Sequence, residues 1–211
     1  MNVRRWRRNL ILGGLIIAGV GAGYVVAGVP RPVEALSFAT AYVALGLLVA
    51  TLSTGPRNVI EGAPNPVSTH LRRDLGIPAA LVGSVHTVLG LQVHKGGNLA
   101  GYFVPPWPGR LDAALGFVAT NYMGALATVV LVMLLLLSND YSLRRLGTAR
   151  WKRLQRSSYL AMLMVALHGA IYQLLEKRRA SAVMFFAMLV VGVLLVQLRG
   201  VAAYRSRARP G

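Results

Sequence analysis

The chain has 211 residues, 55% of them hydrophobic and 14% charged, with a mean hydropathy of +0.55. That is too apolar for an ordinary soluble domain and suits a polytopic membrane protein. The formal charge of +17 would fit a nucleic-acid binder, but the basic residues stand in clusters between apolar runs, with no basic fold or aromatic platform beside them.

A basic head, MNVRRWRR with Trp6, precedes an apolar run over 9–28 of membrane length. The run is long and lacks a small-x-small cleavage site, so it reads as an uncleaved helix rather than a signal peptide. Gly19 and Gly23 give it a small-xxx-small face for helix packing. After a short loop at Pro30-Arg31-Pro32, a second span is expected over 34–54, ending at the turn signal STGPRN. A polar connection over 57–74 carries His70 and the Arg72-Arg73 pair, and a third span over 75–93 holds His86. The Gly/Pro/aromatic stretch KGGNLAGYFVPPWPGRLD reads as an interfacial loop, with Tyr102 and Trp107 as belt residues.

The fourth span, 115–137, is the greasiest. A basic loop over 144–156 leads into the fifth, 157–175, whose one ionisable side chain is His168, and the sixth covers 182–204. The fold class expected is all-α: a polytopic bundle of six transmembrane helices forming one membrane domain over 1–211. The head, the 57–74 connection, the 144–156 loop and the tail carry 17 of the 23 basic residues. That bias predicts cytoplasmic termini for a multi-pass protein, whose expected location is the inner (plasma) membrane. Lys177, Arg178 and Arg179 are the local exception. The 144–156 cluster is expected to contact anionic lipid, with docking of a cytoplasmic reductase as a lesser use.

With no cysteine in the chain, disulfides, thiolate metal sites and cysteine nucleophiles are excluded. Metal ligation falls to His70, His86, His94 and His168, or to the six carboxylates. A histidine inside an apolar span is costly and marks a functional site or a buried partner. His86 lies 13 residues beyond Arg73 and His168 lies 12 beyond Arg156. On helices entering from one side, both sit roughly 18–20 Å deep. Two imidazoles at one depth on different helices can bracket a planar metal macrocycle as axial ligands. Ala79, Gly83 and Gly90 fall on the His86 face and leave room for a flat ligand. The bland alternative is that each histidine only hydrogen-bonds a neighbouring helix. No carboxylate occupies the apolar part of either span, which disfavours a dinuclear metal site.

Two motifs carry a family resemblance. Arg72-Arg73-Asp74-Leu75-Gly76 is followed ten residues later by His86, and Leu146-Gly147 is followed by Trp151, Leu154, Tyr159-Leu160 and His168. This pattern, spread over about 37–172, resembles the ferric-reductase-like transmembrane family. It is most similar to the haem-binding membrane subunits that serve periplasmic methionine sulfoxide reductases. The resemblance implies six helices, b-type haem on His86 and His168, and electron transfer across the membrane to an acceptor on the outer face. Gln155 stands where relatives carry a further histidine associated with a second, inner redox site. Glutamine is not a normal haem ligand, so one haem is expected.

Lys95, Lys177 and Arg178 are candidates to pair with haem propionates, the alternative being membrane anchoring. His94 is a candidate to bond a propionate or a quinone, or else an exposed boundary residue, and His70 reads as a solvated loop residue. No glycine-rich dinucleotide fingerprint follows any strand. The electron donor is therefore expected to be a quinol or a separate flavin reductase, with quinone or FMN as further candidate cofactors and a periplasmic oxidoreductase as acceptor. Direct reduction of an outer ferric chelate and a haem-free scaffold or transporter are the alternatives.

Overall fold

The computed structural model describes residues 3–63, 69–104, 111–175 and 178–208. Among the described residues eight α-helices follow one another: α1 Val3–Ala27, α2 Pro32–Ile60, α3 Thr69–Val93, α4 Ala100–Phe103, α5 Leu111–Leu137, α6 Asp140–Gln155, α7 Ser157–Leu175 and α8 Ala180–Ala208. A 3-10 turn at Lys95–Gly97 lies between α3 and α4. Among the described residues there is no strand, and six helical stretches are long and apolar enough to cross a membrane, with α6 and α7 counted together.

In a bilayer each backbone polar group needs a partner within the protein, and helices supply it. Polar side chains inside the spans follow the same rule. The hydroxyls of Thr40, Thr51, Ser53 and Thr54 donate to carbonyls three or four residues back on α2. Pro32 sits in the first turn of α2, where its missing N–H costs nothing. Pro56 is a different matter, because inside the helix it strips the Leu52 carbonyl of its usual donor. Gln197 of α8 replaces that donor, its Nε2 lying 2.9 Å from the Leu52 oxygen. Beside it, a Cβ on Gly200 would fall 2.6 Å from Pro56, so the glycine lets α8 reach the proline. Gln197→Leu should therefore strand the Leu52 carbonyl and cost about 1–3 kcal/mol. Thermal unfolding in detergent would check this, and an unchanged midpoint would count against it.

The helix α2 packs against α1, α3 and α8, and α5 packs against α7 and α3. Their shared core includes Leu45, Leu48, Leu52, Ala80, Leu131 and Ala161. Gly23 allows the close approach of α1, since its Cβ would lie 2.9 Å from that of Ala39. Large apolar side chains stay exposed on α1 and α8, including Ile17, Val25, Leu194 and Leu198, as a lipid-facing surface requires.

Several boundaries differ from the sequence expectation. The third span begins at Thr69 rather than 75, so His70 stands exposed on the first turn of α3, not in a loop. The basic 144–156 segment is helical. Asn139 caps α6 by accepting from the Ser142 N–H at 2.7 Å, and Gly147, at φ 70, breaks the helix into two arms. The second arm is held to the end of α5 by a bond from Trp151 Nε1 to the Leu137 carbonyl at 2.8 Å. Tyr102 is 2% exposed and belongs to the interior rather than to an interfacial belt. Trp107 and Lys177 lie outside the described residues.

Candidate functional site

Helices α3 and α7 bring His86 and His168 together edge-on, with ring centres 6.3 Å apart and planes at 74°. Each ring is fixed from behind by a different helix. His86 Nδ1 lies 2.9 Å from the Ser37 carbonyl of α2, with the Ser37 hydroxyl at 3.4 Å. His168 Nδ1 lies 2.9 Å from the Thr120 carbonyl of α5. A carbonyl only accepts, so in both rings Nδ1 carries the hydrogen and Nε2 keeps its lone pair. This is the arrangement that orients a metal-ligating histidine and strengthens it as a donor.

The local sequence explains how the carbonyls are reached. Gly124 lies one turn after Thr120, and a Cβ there would come within 2.8 Å of both Cε1 and Nδ1 of His168. The missing side chain is the seat of the ring. Gly169, next to His168, similarly admits the Phe186 ring, which would lie 2.5 Å from an added Cβ.

Both histidines line one cavity of about 280 Å³, large against the ~15 Å³ that admits a single water. Leu45, Leu48, Leu131, Val165 and Phe186 contribute apolar wall. Gly83, Gly90, His94 and Arg178 line the same cavity. Gly83 has a second duty, since an added Cβ would meet Leu131 at 3.3 Å and Ala44 at 3.9 Å. It lets three helices close together as well as leaving room. The Lys95 side chain lies outside the described residues. His70 does not line the cavity.

Beyond His168 the cavity continues into an aromatic group. The His94 ring stacks on Tyr172 at 6.2 Å and meets Phe117 edge-on at 5.8 Å, while Tyr172 is 4.9 Å from His168. His94 is thus half-buried in the site rather than an exposed boundary residue. The Tyr102 oxygen accepts from the His94 N–H at 2.7 Å and its hydroxyl lies 3.0 Å from the Gly90 carbonyl. Burial pushes the Tyr102 phenol up from its ordinary pKa, so the hydroxyl stays a donor. Asn121 donates to the Tyr102 carbonyl at 3.1 Å and accepts from the Tyr172 hydroxyl at 2.8 Å. At another part of the wall, Arg178 stands 5.5 Å over the Phe38 ring, with Nη1 3.9 Å from Glu34.

Ser37, Thr120, Gly124 and Asn121, with Tyr42 on the cavity wall, are parts of this site that sequence reasoning did not single out. Gln155 is remote from it, at the end of α6. Among the described residues no group of three or more His, Cys, Asp or Glu side chains is placed to hold a metal ion. No protein-family model and no solved structure matches the chain.

Proposed function

We propose that this multi-pass membrane protein is a b-type cytochrome. In this reading His86 and His168 hold one haem, and the chain relays electrons from a quinol or reduced flavin to an oxidoreductase across the inner membrane. The carrying observation is the pair of imidazoles, each pinned through Nδ1 to a different helix, at a ring separation of 6.3 Å. Two imidazoles this close on different helices, each with Nε2 left free to donate, could hold one haem iron between them.

The chemistry of the donor set points the same way. A bare metal ion in a protein takes four or more ligands, and two neutral imidazoles leave it short. They suffice where a macrocycle occupies the remaining positions, as in haem proteins with two axial ligands. Haem, when bound, supplies a one-electron iron couple. The chain's own residues do the rest. Ser37 and Thr120 hold the ligand tautomers, and the apolar wall keeps the site dry and raises the cost of charge there. Arg178, and Lys95 by its place in sequence, are suited to pair with propionates. Gln155 in place of a further histidine favours a single haem.

The resemblance to the MsrQ-type subunits of methionine sulfoxide reductase systems supports a periplasmic partner. The charge bias supports cytoplasmic termini. Reconstituted, haem-loaded protein should be reduced by a quinol or reduced flavin within one turnover, and reoxidised by the partner oxidoreductase. Failure of both donors to reduce the haem would overturn the relay. Reoxidation by ferric chelates alone would favour a ferric reductase instead.

A further inference from the structure

The end of the bundle that carries both termini holds a second built feature, independent of the haem reading. Arg5 and Arg8 reach from the start of α1 to Asp74 of α3, whose side chain is 2% exposed. Arg5 contacts Oδ1 through Nε at 3.2 Å and Nη2 at 2.8 Å, and Arg8 contacts Oδ2 through Nη2. Arg73 Nη1 binds Asp140 of α6 at 2.7 Å. Arg72 Nη2 donates to the Ser158 hydroxyl of α7 at 3.2 Å, which itself donates to the Gln155 carbonyl at 2.8 Å. Four guanidinium groups thus gather against two carboxylates at the ends of α1, α3, α6 and α7.

The bonding at this end is unbalanced in one direction. Arg8 Nε, Arg73 Nε and Gln155 Nε2 are buried with no hydrogen-bond partner among the described residues. All three are N–H donors. Only one other buried side-chain atom among the described residues lacks a partner, the Gln173 oxygen of the central cavity. Buried donors left unmade cost free energy, and an excess of positive charge at the same place adds to it. Asp74 already takes three guanidinium contacts, and neither orphan Nε is bonded to it. What would satisfy several donors at once is an acceptor-only anion with three or more oxygens. Phosphate has that form and matches guanidinium forks, which also favour it over a single-point anion.

We propose that this end binds a phosphate group between Arg8, Arg73 and Gln155, supplied either by a phospholipid headgroup or by a free phosphate compound. Gln155 then acts as a neutral donor to the anion. A phosphate there would join α1 to α3 and α6, next to the Arg5–Asp74 and Arg73–Asp140 pairs.

The test uses the full chain purified in uncharged detergent. Inorganic phosphate is titrated by calorimetry. In parallel, retention of phosphatidylglycerol and of a phosphate-free galactolipid is compared by native mass spectrometry. Arg8→Gln/Arg73→Gln should weaken binding by about tenfold or more, and Gln155→Leu by about threefold. The Gln155 change takes away a side-chain nitrogen that has no hydrogen-bond partner in the fold, so it is informative even if the arginine variant unfolds. Binding of inorganic phosphate that falls in the variants supports a site for free phosphate compounds. Variant-sensitive retention of phosphatidylglycerol without phosphate binding supports the headgroup. Absence of both, equal retention of the galactolipid, or affinities unchanged in folded Gln155→Leu overturns the proposal.

Discussion

His168→Ala and His86→Ala should each give a folded membrane protein without a b-type absorption spectrum. Either change leaves one imidazole where two are needed. Loss of a residue that merely orients a ligand costs 10–100-fold in metal affinity, and loss of the ligand itself should exceed about 100-fold. The fold should survive. The Ser37 and Thr120 carbonyls that the rings contact lie inside helices α2 and α5 and keep their own helical donors, so removing a ring strands no backbone group. Haem-to-protein ratio, with helix content measured by circular dichroism, reads this directly. Full haem occupancy in both variants would remove the histidines from the site.

The second large effect is expected at a residue with no functional group. Gly124→Val places a branched side chain where even a Cβ would lie 2.8 Å from two atoms of the His168 ring. Contacts that short cannot be absorbed in place, so the ring must leave the Thr120 carbonyl and carry its Nε2 with it. Overpacking of this kind costs about 1–3 kcal/mol in stability, too little to unfold most bundles but enough to displace a ligand. Haem occupancy should fall several-fold while the helices remain. Gly46→Ala is the matching control, because nothing lies within 4 Å of a Cβ at that position. A wild-type spectrum in Gly124→Val would show that the ring is not seated as described.

The six spans and the histidine pair were legible in the sequence for a simple physical reason. Membrane-length apolar runs have few alternatives to helix, and a histidine inside one stands out by its cost. Counting residues from the flanking arginines gave both histidines one depth, and their rings lie side by side. What holds the rings was not legible. Ser37 and Thr120 act through backbone carbonyls, which carry no residue-specific signal. Gly124 is one glycine among 23, and only the approach of α7 marks it.

The ends of the helices were read less well than their middles. Pro56 and the polar residues after it suggested that α2 stops near 54, whereas Gln197 supplies the missing donor and the helix runs on to Ile60. The 144–156 stretch looked like a loop because its charges hide a helix with a glycine break. Tyr102 looked like a belt residue because its loop is rich in Gly, Pro and aromatics. The short helix α4 instead turns it inward, where it contacts Gly90 and His94. Each of these differences arises from a contact made by a residue distant in sequence.

The most direct test of the central claim is a redox-titrated optical spectrum of the purified chain with haem per protein measured on the same sample. One b-type haem per chain, titrating in a single one-electron step, is the expected result. A colourless protein after expression with ample haem, or two haems titrating separately, would contradict it.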